Sequence, residues 1–296
     1  MEKQRLNPAR LTVAIPLFNG ADWEQTVLHN IQLIPADARI VLSDEVSSDD
    51  TAIRIGEYLV NDPRIMIRTR DGKTGWREHC NALINENESE FFSLLPQDDR
   101  IEAGYYEKLI IGLDENPGAG LAFGSLLAVR KSNRHEKLAS PPFKPGSSTP
   151  WAEAVLLERY WNMGIPFRGI IRREILRKIP PTPEDQFADK LWVFSMALSA
   201  FLLEVPDAVY LKCYHSHNTH TDWNPLSEQQ RKVLLEKEIR NVFGKQQVSE
   251  QVTGYMEQIY ACPKTTCEKF YIFLKRFLMK GAIFGRKGSA LETNRK

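Results

Sequence analysis

Little in this chain marks it for a membrane, for nucleic acid or for an oxidising compartment. Its 296 residues include four cysteines, Cys80, Cys213, Cys262 and Cys267, with no CxxC pair. No disulfide framework is expected, and Cys262 and Cys267 lack the neighbours that would complete a metal site. The 39 Lys and Arg residues nearly cancel the 38 Asp and Glu, leaving a net charge of +1. That is no basis for a nucleic-acid partner. No apolar run approaches the ~20 residues that span a bilayer. The segment "MEKQRLNPAR" has no signal-peptide core, so the cytoplasm is the expected compartment. With 42% hydrophobic and 26% charged residues, the composition is that of an ordinary globular protein with room for one large α/β domain or two small ones.

What is present is organised around "EFFSLLPQDDR", Glu90 to Arg100. The apolar run Phe91–Leu95 reads as a buried strand, and Pro96 ends it. Asp98 and Asp99 follow at once, at the kind of strand end where α/β sheets bind ligands. Two adjacent hard oxygen donors suit a divalent cation, and such cations often carry a diphosphate. The competing reading is that the pair caps the helix expected over "AGYYEKLIIGLDEN".

The preceding residues repeat one pattern. "LTVAIPLFN" reads as a strand ended by Pro16 and Asn19, and "DWEQTVLHNIQLI" as a helix with Asp22 as N-cap. "ARIVLSDE" is a strand that again ends in acids, Asp44 and Glu45. "SSDDTAIRIGEYLV" reads as a helix, "PRIMIRT" as a strand and "GKTGWREHCNALINEN" as a helix. Trp76 in that last segment reads as core. Strands alternating with helices predict a mostly parallel, twisted sheet covered on both faces, with Pro16, Asp44 and Asp98 at one edge. Further on, "LAFGSLLAVR" predicts a strand and "KSNRHEKLASPPFKPGSSTP" a long loop. "PFRGIIRREIL" crosses from a strand to a helix start. A helix over about Asp189 to Ala200 precedes an expected strand pair, "FLLEVP" and "AVYLKCYH".

Four stretches in order resemble the family 2 glycosyltransferases. "VAIPLFN" looks like that family's opening strand and loop. "VLSDEVSSDDT" looks like its "VDDGSTDDT" segment, and "CNALINENESEFFSLLPQDD" has its spacing from a helix Asn to the acidic metal motif. "ADKLWVFSMALSAFLLEVPDAVYLKCYHSHN" looks like its later segment, where an acid opens a helix and a His closes the domain. The resemblance covers residues 10–220. It implies a GT-A domain there, a three-layer α/β/α fold with a mostly parallel sheet; the charged residues after it read as a helical C-terminal extension over 221–296. Two departures stand out: Val46 replaces a usual Gly, and Gln97 replaces the first acid of the usual DxD form.

The resemblance implies a metal-dependent inverting transfer of a sugar from a nucleotide-diphosphate donor, with UDP-sugars favoured. The acceptor would be a glycan or lipid-linked saccharide, in the manner of polysaccharide biosynthesis. Asp99 is the expected ligand to Mn²⁺ or Mg²⁺, with His215 as a further metal or diphosphate contact. Asp98 would meet the ribose, or the metal through water, and Asp44 the nucleotide base. Pro16 and Phe18 lie where backbone and an aromatic face can pack on that base. Arg77, at a helix start, has the fork geometry to grip phosphate. The general base is Asp189, which opens a helix, or Asp185, in the Pro-rich loop "PPTPEDQ".

The tail "EKFYIFLKRFLMKGAIFGRK" puts Phe270, Phe273, Leu274, Phe277 and Leu278 on one helical face amid basic residues. It suits either peripheral contact with an anionic membrane, at its inner face, or packing on the domain. Two other functions compete with the transferase reading. One is a catalytically inactive glycan-binding or scaffold relative. The other is a nucleotidyltransferase, which would be expected to carry a glycine- and basic-rich triphosphate loop after its first strand.

Overall fold

A computed structural model of the chain describes residues 9–59, 61–129, 135–137, 165–179, 189, 192–193, 196 and 200–213. Four strands, β1 (Leu11–Leu17), β2 (Arg39–Asp44), β3 (Ile65–Thr69) and β4 (Phe91–Leu94), form a parallel half-sheet in the order β3-β2-β1-β4. β1 is buried along its length except at Pro16, which is half-buried. That explains its continuous apolar reading: an inner parallel strand meets protein on both faces.

The helices α1 (Glu24–Leu33), α2 (Thr51–Leu59) and α3 (Trp76–Asn85) are the crossovers of this half. Each buries one stripe, such as Val27 and Ile31 on α1 or Cys80 and Leu83 on α3. Asp22 does not cap α1. It lies in a 3₁₀ turn, Ala21–Trp23, and α1 starts after Trp23 without a side-chain cap. Trp76 is not core either; it stands about half exposed on the first turn of α3.

The second half of the sheet is mixed, in the order β8-β6-β9-β5 continuing from β4. It contains β5 (Arg100–Ile101), β6 (Ala119–Val129), β7 (His135–Lys137), β8 (Ile170–Arg172) and β9 (Phe201–Cys213). The expected strand pair after Ala200 is one strand, β9, running parallel to β6. Its register jumps between Gly124↔Val205 and Ser125↔Val209, so Pro206–Ala208 form a bulge. Proline has no N–H for the ladder, and Ser125 Oγ donates to the Pro206 carbonyl at 2.9 Å.

Helix α4 (Tyr105–Glu115) packs Tyr105, Tyr106, Leu109 and Leu113 under this half. Its N-cap is Gly104, and β5 separates it from Asp98 and Asp99. The helix-cap reading of the two acids is therefore removed. The buried ring of Tyr105 meets Tyr106 edge to face and Tyr210 at a tilt, with centroids 5.2 and 5.7 Å apart. The expected C-terminal extension over 221–296 lies outside the described residues.

Candidate active site

The parallel register brings the strand-end residues together. Leu17 pairs with Asp44, Glu45 N donates to the Leu17 carbonyl at 2.9 Å, and Leu95 N donates to the Ala14 carbonyl at 2.9 Å. Pro16, Phe18, Asp44 and the Asp98–Asp99 turn thus share the carboxyl edge of the parallel half, where such sheets bind ligands.

Two loops at this edge are laced to each other. Four successive backbone N–H groups after β1 donate to side chains. Phe18 N reaches Gln97 Oε1 (3.1 Å), Asn19 N reaches Ser47 Oγ (2.9 Å), Gly20 N reaches Thr51 Oγ1 (2.7 Å) and Ala21 N reaches Asp49 Oδ2 (3.1 Å). Asn19 Oδ1 in turn accepts from Ser48 N at 2.8 Å. Asp44 is buried and accepts from Ser47 N (3.0 Å) and Ser47 Oγ. Within this turn Val46 holds the left-handed region at φ 54°. The turn keeps the conformation a glycine would favour, with a β-branched residue in it.

Glu45 serves a third loop. Its buried carboxylate accepts from Thr74 N (2.6 Å), Thr74 Oγ1 (3.0 Å) and Gly75 N. Gly75, at φ 92°, then turns the chain into α3. This fixes the start of the helix that carries Arg77, whose guanidinium pairs with Glu78 at 2.9 Å. Lys73, just before, holds its ammonium 4.0 Å from the centroid of the half-buried Phe18 ring.

Asp98 is half-buried, whereas Asp99 is 2% exposed. Both carboxylate oxygens of Asp99 accept bonds from the protein. Oδ2 takes the Tyr210 hydroxyl (2.9 Å) and Arg168 Nε (3.3 Å), and Oδ1 takes the Cys213 backbone N–H (2.9 Å). Buried Asn30 on α1 braces the same turn, donating to the Asp99 carbonyl at 2.8 Å and accepting from Ile101 N at 3.1 Å. Burial pushes the Tyr210 phenol well above its ordinary range, and the Asp99 charge beside it pushes the same way. Tyr210 therefore stays a donor.

Asp189 belongs to this cluster. Lys212 on β9 is 7% exposed. Burial and Arg168 push its ammonium down, while Asp99, Asp189 and Asp98 push it back up. The four other charged groups lie within electrostatic reach of Lys212, all in the compact unit Met1–Glu238. Asp189, Trp192, Val193 and Met196 are helical, and the last three are buried. Asp185 and His215 lie outside the described residues, as does the tail.

Arg168, Tyr210 and Lys212 went unread in the sequence. The signal was there for two of them: a lone basic residue inside an apolar run, in "IPFRGII" and "VYLKCYH". Such a charge needs a buried partner, and the partner here lies far away along the chain.

Among the described residues no three His, Cys, Asp or Glu side chains form a metal cage. The acids present still fit a cation of the kind that takes one or two carboxylates and completes its shell with phosphate and water.

Residues 12–179 match the family described as Glycosyl transferase family 2, which is more than half of the chain. A curated relative from Campylobacter jejuni, GalNAc(5)-diNAcBac-PP-undecaprenol beta-1,3-glucosyltransferase, is 28% identical over 126 residues. That alignment covers 42% of this chain and 40% of the relative, so well under half of the relative's length is matched. Among solved structures, S. aureus TarS residues 1–349 in complex with UDP-GlcNAc superposes with a TM-score of 0.58 at 18% identity, covering 78% of this chain and 67% of that one. GalNAc-T7 with UDP, GalNAc and Mn²⁺ gives a TM-score of 0.53 at 14% identity, covering 71% and 45%. At such identities these likenesses speak for the fold. The chain belongs to glycosyl transferase family 2, with the GT-A fold.

Proposed function

We propose that this chain transfers a sugar, with inversion, from a nucleotide-diphosphate donor to a glycan or lipid-linked saccharide. The observation that carries this is the row of strand-end acids, Asp44 and Asp98, flanking the Phe18 loop, with Asp189 in the same field beyond Lys212. Asp44 accepts from the nucleotide base, the Phe18 ring packs on it, and Arg77 faces the diphosphate. A UDP-sugar is the favoured donor, in keeping with the UDP-GlcNAc bound by S. aureus TarS. A lipid-linked acceptor is in keeping with the name of the C. jejuni relative.

The reading of Asp99 as the metal ligand changes. Its two oxygens already accept three bonds, so in this proposal Asp98 holds the Mn²⁺ or Mg²⁺ and Asp99 fixes the turn that presents it. His215 remains a further candidate contact. When bound, the cation supplies Lewis-acid neutralisation of the leaving diphosphate. Asp189 accepts the proton of the acceptor hydroxyl as its oxygen bonds to the anomeric carbon from the face opposite the diphosphate, and the bond from that carbon to the diphosphate oxygen breaks, releasing the nucleoside diphosphate. Lys212 and Arg168 balance the acids around this step. Asp185 stands as the alternative base.

The nucleotidyltransferase reading is disfavoured by the loop after β1. Its four N–H groups from Phe18 to Ala21 are all directed at side chains, so they form no phosphate cradle. An inactive, glycan-binding relative would bind a nucleotide sugar without turnover. The basic amphipathic tail would bring the enzyme to the inner face of the membrane, where a lipid-linked acceptor resides. No described helix is long and apolar enough to cross a membrane. The test is a screen of nucleotide sugars with Mn²⁺ or Mg²⁺, following release of the nucleoside diphosphate. Release that requires acceptor supports the transferase. Binding without release in any pairing favours the inactive relative.

A further inference from the structure

Gln97 stands where an acid would complete the motif, and the structure gives its amide a task that an acid cannot perform. Gln97 Oε1 accepts from Phe18 N at 3.1 Å, and Gln97 Nε2 donates to the Phe18 carbonyl at 3.0 Å. One N–H and one carbonyl on the same residue fix the orientation of the amide, since the flipped form would lose both bonds. The pair acts as an extra ladder rung, joining the loop after β1 to the turn after β4 across 79 residues of sequence.

Gly20 belongs to the same device. Its backbone, at φ −109° and ψ 20°, needs no glycine. What glycine leaves there is space: a Cβ would lie 2.7 Å from Gln97 Cδ and closer still to Oε1, so any side chain at this position would displace the amide. Gln97 thus holds the loop that presents Phe18 by both polar backbone groups of that residue, in space that Gly20 leaves open.

We infer that Gln97 is a positioning residue of the donor site, locking the Phe18 loop to the Asp98–Asp99 turn so that the nucleotide-base side and the diphosphate side keep one spacing. This rests on the donor-site reading above. A bound nucleoside diphosphate must satisfy both sides at once, so slack between them weakens binding even where every contact residue is intact.

The test uses the full chain and UDP with Mn²⁺, titrated by calorimetry. Gln97→Glu keeps the size and the acceptor for Phe18 N, but turns an acceptor toward the Phe18 carbonyl. It is expected to raise the Kd for UDP about tenfold, in a protein that still melts in one cooperative transition. Gly20→Ala, which displaces the amide, is expected to weaken UDP to a similar degree. In a Gln97→Ala background the three atoms nearest that methyl are gone, so Gly20→Ala should there change Kd by less than about twofold, a non-additivity that a generally loosened fold would not produce. Wild-type affinity in Gln97→Glu, or an equal Gly20→Ala penalty in both backgrounds, overturns the lock and leaves the donor site standing. A wild-type chain that binds no UDP overturns the donor-site reading and the lock with it.

Discussion

The Tyr210 hydroxyl donates to Asp99 Oδ2 at 2.9 Å, across 111 residues of sequence. This bond ties the acidic turn after β4 to the end of β9, the last described strand. It also sets two adjacent acids apart: both oxygens of Asp99 accept bonds from the protein and the residue is buried, whereas Asp98 beside it is half-buried.

The two acids should therefore fail differently. Asp99→Ala leaves Arg168 buried without this carboxylate, and breaking a buried pair costs about 3–5 kcal/mol. A large fall in thermal midpoint is expected. Asp98→Ala should melt near the wild-type temperature yet lose cation-dependent UDP binding. Parallel melting curves check this, and equal stability losses would refute the division.

Tyr210→Phe removes one donor from a buried carboxylate while keeping the ring contact with Tyr105. The expected loss is about 1–3 kcal/mol. Denaturant unfolding measures it, and an unchanged midpoint would show that Arg168 and Cys213 N suffice.

Val46 occupies the left-handed region at φ 54°, where a β-branched residue is strained by roughly 1–3 kcal/mol. The turn persists because Ser47 binds the Asp44 carboxylate through both its N–H and its hydroxyl. Val46→Gly relieves the strain but loosens the unfolded chain. A net gain of about 1 kcal/mol is expected. Destabilisation would mean that the Val46 side chain contributes packing that outweighs its backbone strain.

His79 is 1% exposed, with Nε2 2.8 Å from Ser43 Oγ. Burial lowers its pKa, so the folded state binds fewer protons than the unfolded chain between the folded value and about 6.5. Its contribution to stability is complete above pH ~6.5 and is lost as pH falls toward the folded value. His29 shifts the same way but is only half-buried. His79→Gln should flatten the stability profile as pH falls below about 6.5. A variant as acid-sensitive as the wild type would place the titration elsewhere.

Asp189→Asn keeps the shape of the side chain and removes the proton acceptor. Turnover should fall roughly a hundredfold or more, with UDP affinity nearly intact. Asp185→Asn should do far less. Reversed effects would exchange the roles of the two acids.

The inner strands of the parallel half, β1, β2 and β4, were legible because they are apolar on both faces and end abruptly in Pro, Asn or acids. Those ends placed Pro16, Phe18, Asp44 and Asp98 at one edge. β5 was not legible, because two residues, Arg100 and Ile101, carry no periodicity. The single strand β9 read as two, because Pro206 and Asp207 carry a turn signal and the chain absorbs it in a bulge. The partition between Asp98 and Asp99 could not be read from an adjacent pair of acids. Asp99 is the buried one of the two, held by Arg168, Tyr210 and Cys213, which reach it only through tertiary pairing.

The central claim, a cation-assisted nucleotide-diphosphate site at the carboxyl edge with Asp98 as its protein ligand, is tested most directly by one titration. UDP is titrated into the wild type and into Asp98→Asn, each with Mn²⁺ and with chelator. Mn²⁺ is expected to tighten UDP binding to the wild type by about tenfold or more, some 1.4 kcal/mol, and to give Asp98→Asn no such gain. A wild type indifferent to Mn²⁺, or an equal gain in Asp98→Asn, would contradict it.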